Sequence, residues 1–333
     1  MGRPTMRDVA SIAGVSLKTV SRVVNREPGV HADTAARVEA AIASLGFARN
    51  DVARSLRHGR AGAIGLVIED VANPFYSAIA RTVEDAAHAR GHIVITGSCE
   101  EDPEREQQLV GRLLRRSVDA LLIVPAGADH RYLEPELAAG TPLVFLDRPA
   151  VGIEADTVLL DNLGGARAGV AHLLERGHDR VAFVGDAPAL HTARERLAGY
   201  RRALVDAGVP ERTELVRTGT HDAAGAEATV RRLLRLPVAR RPTAVFCANN
   251  RNTVGALRAL RDHPRPVALV GFDDFELADM LPTPVTVVRH APEDMGRIAA
   301  ELAYARLEGD GGPPQRRTIP CELVARGSGE VPA

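Results

Sequence analysis

From Gly62 onward the chain alternates short apolar runs rich in β-branched residues with longer amphipathic stretches, and this alternation constrains the fold more than any other feature. AIGLVIED, HIVITGS, DALLIVP and TPLVFLD come first, then VLLDN, RVAFVGD, TAVFCAN and VALVGFDD. Runs of this kind read as buried strands. A helical stretch between successive strands makes them parallel, because the crossover returns the chain to the starting edge of the sheet, and helices then cover both faces. The pattern predicts two doubly wound α/β halves, 62–159 and 160–288.

The first sixty residues read differently. Thr5 followed by Asp8 has the form of a capping box, so a helix is expected over MRDVASIA with Val9, Ile12 and Ala13 inward, ended by Gly14. Ser16 then caps LKTVSRVVN. Val20, Val23 and Val24 recur at helical spacing, which turns Leu17, Lys18, Ser21, Arg22 and Asn25 outward. Two short helices about an Ala-Gly-Val turn make either a helix-turn-helix or an ordinary helical hairpin. The outward face favours the former: Lys18 and Arg22 stand four residues apart with no acid between them, flanked by hydroxyls suited to phosphate oxygens. A third helix, capped by Asp33 and ended by Gly46, supplies Val38, Ala41, Ile42 and Leu45 to the same small core. Net charge supports the division. Residues 1–60 hold ten basic and five acidic residues, whereas the remainder holds 32 basic and 38 acidic, so only the small end suits a polyanion. The stretch FARNDVARSLRHGR that follows is too polar to fold alone; VARSL makes one or two helical turns only if something holds it.

Ligands of open α/β sheets bind beyond the carboxyl ends of the strands. In this chain those ends carry Asn73-Pro74-Phe75-Tyr76, Asp147, Asn249 with Asn250, and Asp273 with Asp274, while Arg196 lies in HTARERLAGY. Carboxylates, amides and a guanidinium around aromatic walls suit a hydroxyl-rich solute such as a sugar or nucleoside. Each residue also has a plainer reading: Asp147 as a turn cap, Asn249 as a helix cap, Asp274 as a brace of its loop. Their recurrence at equivalent strand ends favours a cleft.

DVASIAGVSLKTVSRVVN, RVEAAIASLGFARNDVARSL, NPFY, RERLAGY and VGFDD, in this order, closely resemble the lactose-repressor (LacI/GalR) family over essentially the whole chain. The resemblance implies a fold of an N-terminal all-α helix-turn-helix domain plus an α/β periplasmic-binding-protein-like domain of two doubly wound parallel-sheet subdomains. It implies a sequence-specific, DNA-binding transcription repressor of the bacterial cytoplasm, a homodimer or higher assembly on palindromic operator DNA, whose operator affinity follows a small sugar-like effector. Leu17, Lys18 and Arg22 would read base edges, and Ser16, Thr19, Ser21 and Asn25 would hold phosphates. VARSL would be a hinge helix ordered only on DNA, with Leu56 wedged into the minor groove and Ala53 beside it. The direct effector contacts would be Phe75, Tyr76, Asp147, Arg196, Asn249 and Asp273, with His221 where relatives often present an aromatic ring. Two positions depart from the pattern: Leu17 cannot hydrogen-bond a base and suits a thymine methyl, and Asn250 replaces a common Asp. The implied division is 1–49 for the helix-turn-helix, 50–61 for hinge and linker, 62–159 plus about 289–318 for one effector subdomain, and 160–288 plus about 319–333 for the other.

The rival classes are an enzyme on a doubly wound fold and a transport-associated solute receptor. No G-x-G-x-x-G opens a strand-helix unit, and P-loop, G-x-S-x-G and H-E-x-x-H motifs are absent, so no catalytic residue and no cofactor is expected. No apolar run approaches the roughly 18 residues that span a bilayer, and MGRPTMRDVA lacks the apolar core of a secretory signal, which argues against a membrane partner and an exported receptor. Cys99, Cys247 and Cys321 are too widely spaced for a zinc site and are expected as unpaired core residues. His172 and His178, six apart across a helix end, suit no shared metal and are expected to face solvent.

Overall fold

A computed structural model of the chain describes residues 4–25, 27–47 and 62–333. Contacts divide the chain into two compact units, 1–61 and 62–333.

In the small unit, α1 (Met6–Ala13) begins at a complete capping box: Thr5 Oγ1 accepts the Asp8 amide, and Asp8 accepts the Thr5 amide at 2.7 Å. Gly14 ends it in the left-handed region, φ 61°, where a glycine carries no Cβ penalty. Ser16 caps α2 (Leu17–Val24), and α3 (Ala32–Leu45) closes a core of Val9, Ala13, Val20, Val38 and Ala41. Arg37 of α3 ties the pieces together by donating to the carbonyls of Ala13, at 2.5 Å, and Gly14. Two local expectations fail. Ile12 is 58 % exposed, because α3 covers the Val9–Ala13 stripe and Ile12 lies on its flank. Asp33 lies within the first turn of α3 rather than at its cap, which is His31 without a side-chain cap bond; its carboxylate can favour the helix start only through the dipole.

The large unit contains two six-stranded sheets. The first holds β1 (Ala63–Ile68), β2 (Ile93–Ser98), β3 (Ala120–Ile123), β4 (Leu143–Leu146), β5 (Asp156–Leu160) and β11 (Arg316–Ile319), in the order β11-β5-β4-β3-β1-β2 and all parallel. The second holds β6 (Val181–Val184), β7 (Val216–Arg217), β8 (Ala244–Cys247), β9 (Ala268–Phe272), β10 (Thr286–Arg289) and β12 (Glu322–Val324), in the order β12-β10-β9-β8-β6-β7, parallel except for the β10–β12 pair. The two halves thus share one winding. Helices α4 (Pro74–His88), α5 (Pro103–Arg115) and α6 (Glu134–Ala138) belong to the first half; α7 (Asn162–Leu174), α8 (His191–Asp206), α9 (Ala223–Leu234) and α10 (Asn250–Leu260) belong to the second. Helix α11 (Pro292–Leu307) leaves the second sheet and packs on α4 and on β3, β4 and β5 of the first.

Each sheet is buried on both faces, which is why its strands are continuous apolar runs. In the first, Leu66, Leu122 and Val144 meet Ile79 and Ala299, while Val67, Leu121 and Phe145 meet Val110 and Leu113 on the other side. In the second, Phe183, Phe246 and Val270 pack with Val170 and Tyr200, and Val184, Val245 and Leu269 with Val230 and Ala256. HIVITGS is the exception among the expected buried strands. It is the edge strand β2, Ile93 is 65 % exposed, and an apolar run alone does not tell an edge from a centre.

His172 and His178 are buried rather than solvent-facing. The chain's last residues cover them: His172 Nε2 meets Glu330, while His178 bonds Thr243 Oγ1 and the Val331 carbonyl, each at 2.9 Å. Cys99 and Cys247 are buried and Cys321 half-buried, all unpaired, and burial pushes the Cys99 thiol up to about 11.

Candidate DNA interface and ligand cleft

On α2, Leu17, Lys18 and Arg22 are exposed, as the periodicity of Val20, Val23 and Val24 requires, and Lys18 is the chain's sole lysine. Ser16 Oγ accepts the Thr19 amide at 3.1 Å and bonds Thr19 Oγ1 at 2.9 Å. Asn25 Nδ2 donates to Ser21 Oγ at 3.3 Å. The hydroxyl and amide groups are therefore held in two local pairs, Ser16 with Thr19 at the start of the helix and Ser21 with Asn25 at its end. Arg22 Nε lies 4.0 Å from Glu27, a loose pair on the surface that a duplex can displace at small cost. Ala53 and Leu56, the expected hinge residues, lie outside the described residues.

All seven expected ligand residues of the large unit line one cleft of about 410 Å³. Its location follows from topology. In each sheet the winding reverses beside its first strand, β1 or β6, and the crevice lies beyond the carboxyl ends there. Asn73 caps α4 by accepting the Phe75 amide at 3.2 Å, which fixes Phe75 and Tyr76 at the cleft wall, their rings 4.8 Å apart and edge to face. Asn249 caps α10 by accepting the Asn252 amide at 2.7 Å and donates to Asp186 at 2.5 Å. Its capping role and its place in the cleft coexist. His221 is at the rim, largely exposed, with Nδ1 3.0 Å from Asp186. Asp274 is the brace of the plainer reading: Arg326 grips it by two bonds, at 2.8 and 2.6 Å.

Asp147 and Asp273 end equivalent strands, β4 and β9, and both have positive φ, 64° and 68°. Among the described residues five non-glycines have positive φ, and four of them, Glu100, Glu101, Asp147 and Asp273, line this cleft. Such backbone costs about 1–3 kcal/mol per residue and tends to cluster where function requires it. The electrostatic settings of the two aspartates are opposite. Burial pushes the Asp273 carboxyl up, but the Arg196 guanidinium and a 2.9 Å bond to His290 Nε2 outweigh it and hold the group below its ordinary value. Arg196 is itself fixed by donating to Asn162 Oδ1 at 2.7 Å and the Ala248 carbonyl at 2.6 Å, over the face of Phe272. Asp147 is raised, because burial there exceeds the pull of Arg148 and Arg196. Its Oδ2 receives a long bond from the Tyr76 hydroxyl, 3.4 Å, and its buried Oδ1 has no partner. An unpartnered buried acceptor is an invitation to a ligand donor.

The sequence reading missed Glu69, Asp70, Arg148, Asp186, Thr192 and Arg251, which also line the cleft. Four of them were within reach of the strand-end rule: Glu69-Asp70 end AIGLVIED, Asp186 ends RVAFVGD, and Arg148 follows FLD. Arg251 carries a connection no local pattern reveals. It bonds Asp70 from the opposite half, and beside it Asn250 Nδ2 donates to Asn73 Oδ1 at 3.0 Å, so the two halves are latched across the cleft mouth. Among the described residues no cluster of His, Cys, Asp and Glu is arranged to hold a metal ion, and no helix is long and apolar enough to cross a membrane.

A helix-turn-helix joined to two like-wound α/β halves around a polar cleft defines the class of ligand-responsive DNA-binding regulators. Residues 5–50 match the bacterial regulatory proteins of the lacI family, and residues 170–329 match the periplasmic binding protein-like domain. The chain is 33 % identical to the ribose operon repressor of Escherichia coli K12, over 97 % of this chain and 99 % of that one. It is 35 % identical to the transcriptional regulator CelR of Thermobifida fusca, over 98 % of each. Among solved structures, the lac repressor dimer bound to operator and the anti-inducer ONPF superposes with a TM-score of 0.87 at 28 % identity, covering 99 % of this chain and 100 % of that one. A CelR–cellobiose complex superposes with a TM-score of 0.72 at 33 % identity, covering 98 % and 100 %. The chain belongs to the LacI family: it is a DNA-binding transcriptional regulator and not an enzyme.

Proposed function

We propose that this regulator is a repressor that binds a palindromic operator as a homodimer and changes its grip when a sugar-like effector occupies the cleft. The observation that carries the reading is convergence. Phe75, Tyr76, Asp147, Arg196, His221, Asn249 and Asp273 come from separate turns of both halves, yet all line one cavity. The names of its relatives support the effector class, since they are a ribose operon repressor and a regulator solved with cellobiose.

On DNA, Leu17, Lys18 and Arg22 read the major groove, Ser16, Thr19, Ser21 and Asn25 hold phosphates, and Leu56 wedges into the minor groove at the dyad with Ala53 beside it. Arg22 takes guanine in bidentate fashion, worth about 1–3 kcal/mol of discrimination. One helix-turn-helix reads too few base pairs for specificity in a genome, so two subunits act together. The working division is 1–49 for reading, 50–61 for the hinge, 62–159 with about 289–318 for one effector subdomain, and 160–288 with about 319–333 for the other. The protein works in the cytoplasm, on the chromosome. Closure of the cleft alters the separation of the two hinges; moving operator occupancy from nearly full to nearly empty takes about 5.5 kcal/mol of preference by the effector for one state. Which state the effector favours depends on which closure matches hinge pairing.

The test is a melting screen of the full chain against pentoses, hexoses, cellobiose and nucleosides. A ligand at 100 times its Kd adds about 2.7 kcal/mol, a clear rise in Tm. The reading requires such a rise, absent in Asp273→Ala; a rise that persists in that variant places the ligand elsewhere.

A further inference from the structure

The cleft is electrically one-sided. Seven carboxylates face three guanidiniums and one imidazole, and all three guanidiniums are already engaged. Arg148 grips Glu101 through both terminal nitrogens and donates to the Pro125 carbonyl at 2.8 Å. Arg196 is divided among Asn162, the Ala248 carbonyl and Asp273. Arg251 bonds Asp70 and reaches Glu69 only at 3.6 Å. An anionic ligand would meet no free guanidinium here and a surplus of like charge.

What remains open on the first half is acceptor capacity, apart from the single N–H of Arg148 Nε, which makes no hydrogen bond and lies 3.7 Å from Asp147 Oδ2. Glu69 and Asp147 both approach the Tyr76 hydroxyl, from the ends of β1 and β4. Asp147 is 3 % exposed and its Oδ1 is without a partner. Burial and the neighbouring Glu101 push the Glu69 carboxyl up to about 7, against the pull of Arg148, the Tyr76 hydroxyl and Arg251. A sugar hydroxyl brings one donor and also acceptors that need donors in turn. A primary ammonium brings three donors, no acceptor and the missing positive charge.

We infer that the cleft selects ligands bearing a protonated amine beside their hydroxyls, an amino sugar or aminocyclitol, with the ammonium seated between Glu69 and Asp147. The inference rests on the reading of this cleft as the effector site and narrows its ligand class. A cation there favours the carboxylate form of Glu69, so binding near pH 7 releases a proton from it.

The experiment is titration calorimetry on the full chain with matched probes: D-glucosamine and D-galactosamine, their parent hexoses, their N-acetyl forms, and an aminocyclitol beside its parent cyclitol. The expected result at pH 6.5, where the free amines already carry their proton and Glu69 still holds its own, is that at least one amine binds tenfold or more tightly than its neutral parent and N-acetyl form, with net proton release between buffers of different ionisation enthalpy. In Glu69→Gln that preference falls to within about threefold; if the variant fails to melt cooperatively, proton release by the native chain still decides. Equal or tighter binding of neutral sugars, or a preference untouched by Glu69→Gln, overturns the inference and leaves the effector reading standing. Failure of every probe here while a pentose, cellobiose or nucleoside of the melting screen binds overturns the inference alone; failure of those as well removes both.

Discussion

The two halves of the large unit are wound alike and end their fourth strands in the same residue, yet they prepare that residue in opposite ways. Asp273 is held ionised by Arg196 and His290, while Asp147 is held up by burial with one oxygen unpartnered. The second half therefore presents a preorganised charge, and the first half presents an unmet demand. Ligand specificity in such a cleft comes from the unmet demand, and ligand-free stability comes from the preorganised pair.

Matched substitutions break the comparison if it is wrong, and Asn is the right replacement because it tolerates positive φ. The largest effect is expected for Asp273→Asn. It sets an amide against a buried guanidinium, so denaturant unfolding should show a loss of about 3–5 kcal/mol. The pH dependence has a definite sign. The folded-state value of Asp273 is depressed, so its stabilisation is full above the ordinary carboxyl value of 3.8 and is lost as pH falls through the folded value.

Next come the helix crossings, which the halves share. A Cβ on Gly255 of α10 would lie 2.4 Å from the Ala223 carbonyl oxygen, and one on Gly296 of α11 would lie 2.7 Å from that of Ile79. Gly255→Ala and Gly296→Ala should each cost about 1–3 kcal/mol in chemical denaturation, since backbone must move apart. Comparable losses in both would show that the asymmetry belongs to the cleft and not to the packing beneath it.

Asp147→Asn should do the reverse of its counterpart and stabilise the ligand-free chain by about 1 kcal/mol, read as a higher urea midpoint, while weakening ligand at least tenfold by calorimetry. Its pH sign is also reversed. The folded-state value is raised, so wild type loses stability relative to the variant as pH rises from 3.8 through the folded value, and the variant's gain is complete above it. Smallest in its effect on the cleft is Arg22→Ala. It should relax preference at one base pair per half-site in binding assays and leave calorimetric ligand affinity unchanged.

Legibility in the sequence follows the range of the interactions involved. Helices α1 and α2 were readable with their ends because Thr5, Asp8, Gly14 and Ser16 act within one turn. The seven cleft residues were readable because strand ends and turn chemistry are local signals and the family motifs rank them. Ile93 was not, since a β-branched run is alike at an edge and at a centre. His172 and His178 were misplaced because their partners, Glu330 and Val331, arrive from more than 150 residues away. The Arg251–Asp70 latch belongs to the same kind: it exists only once both halves are assembled.

The central claim, that occupancy of the cleft sets the affinity for DNA, is tested most directly by anisotropy of a labelled palindromic operator titrated with the full chain, with and without a ligand that calorimetry places in the cleft. The account predicts a salt-sensitive, sequence-selective Kd that ligand shifts at least tenfold in wild type and leaves unchanged in Asp273→Ala. An operator Kd indifferent to a saturating cleft ligand would contradict it.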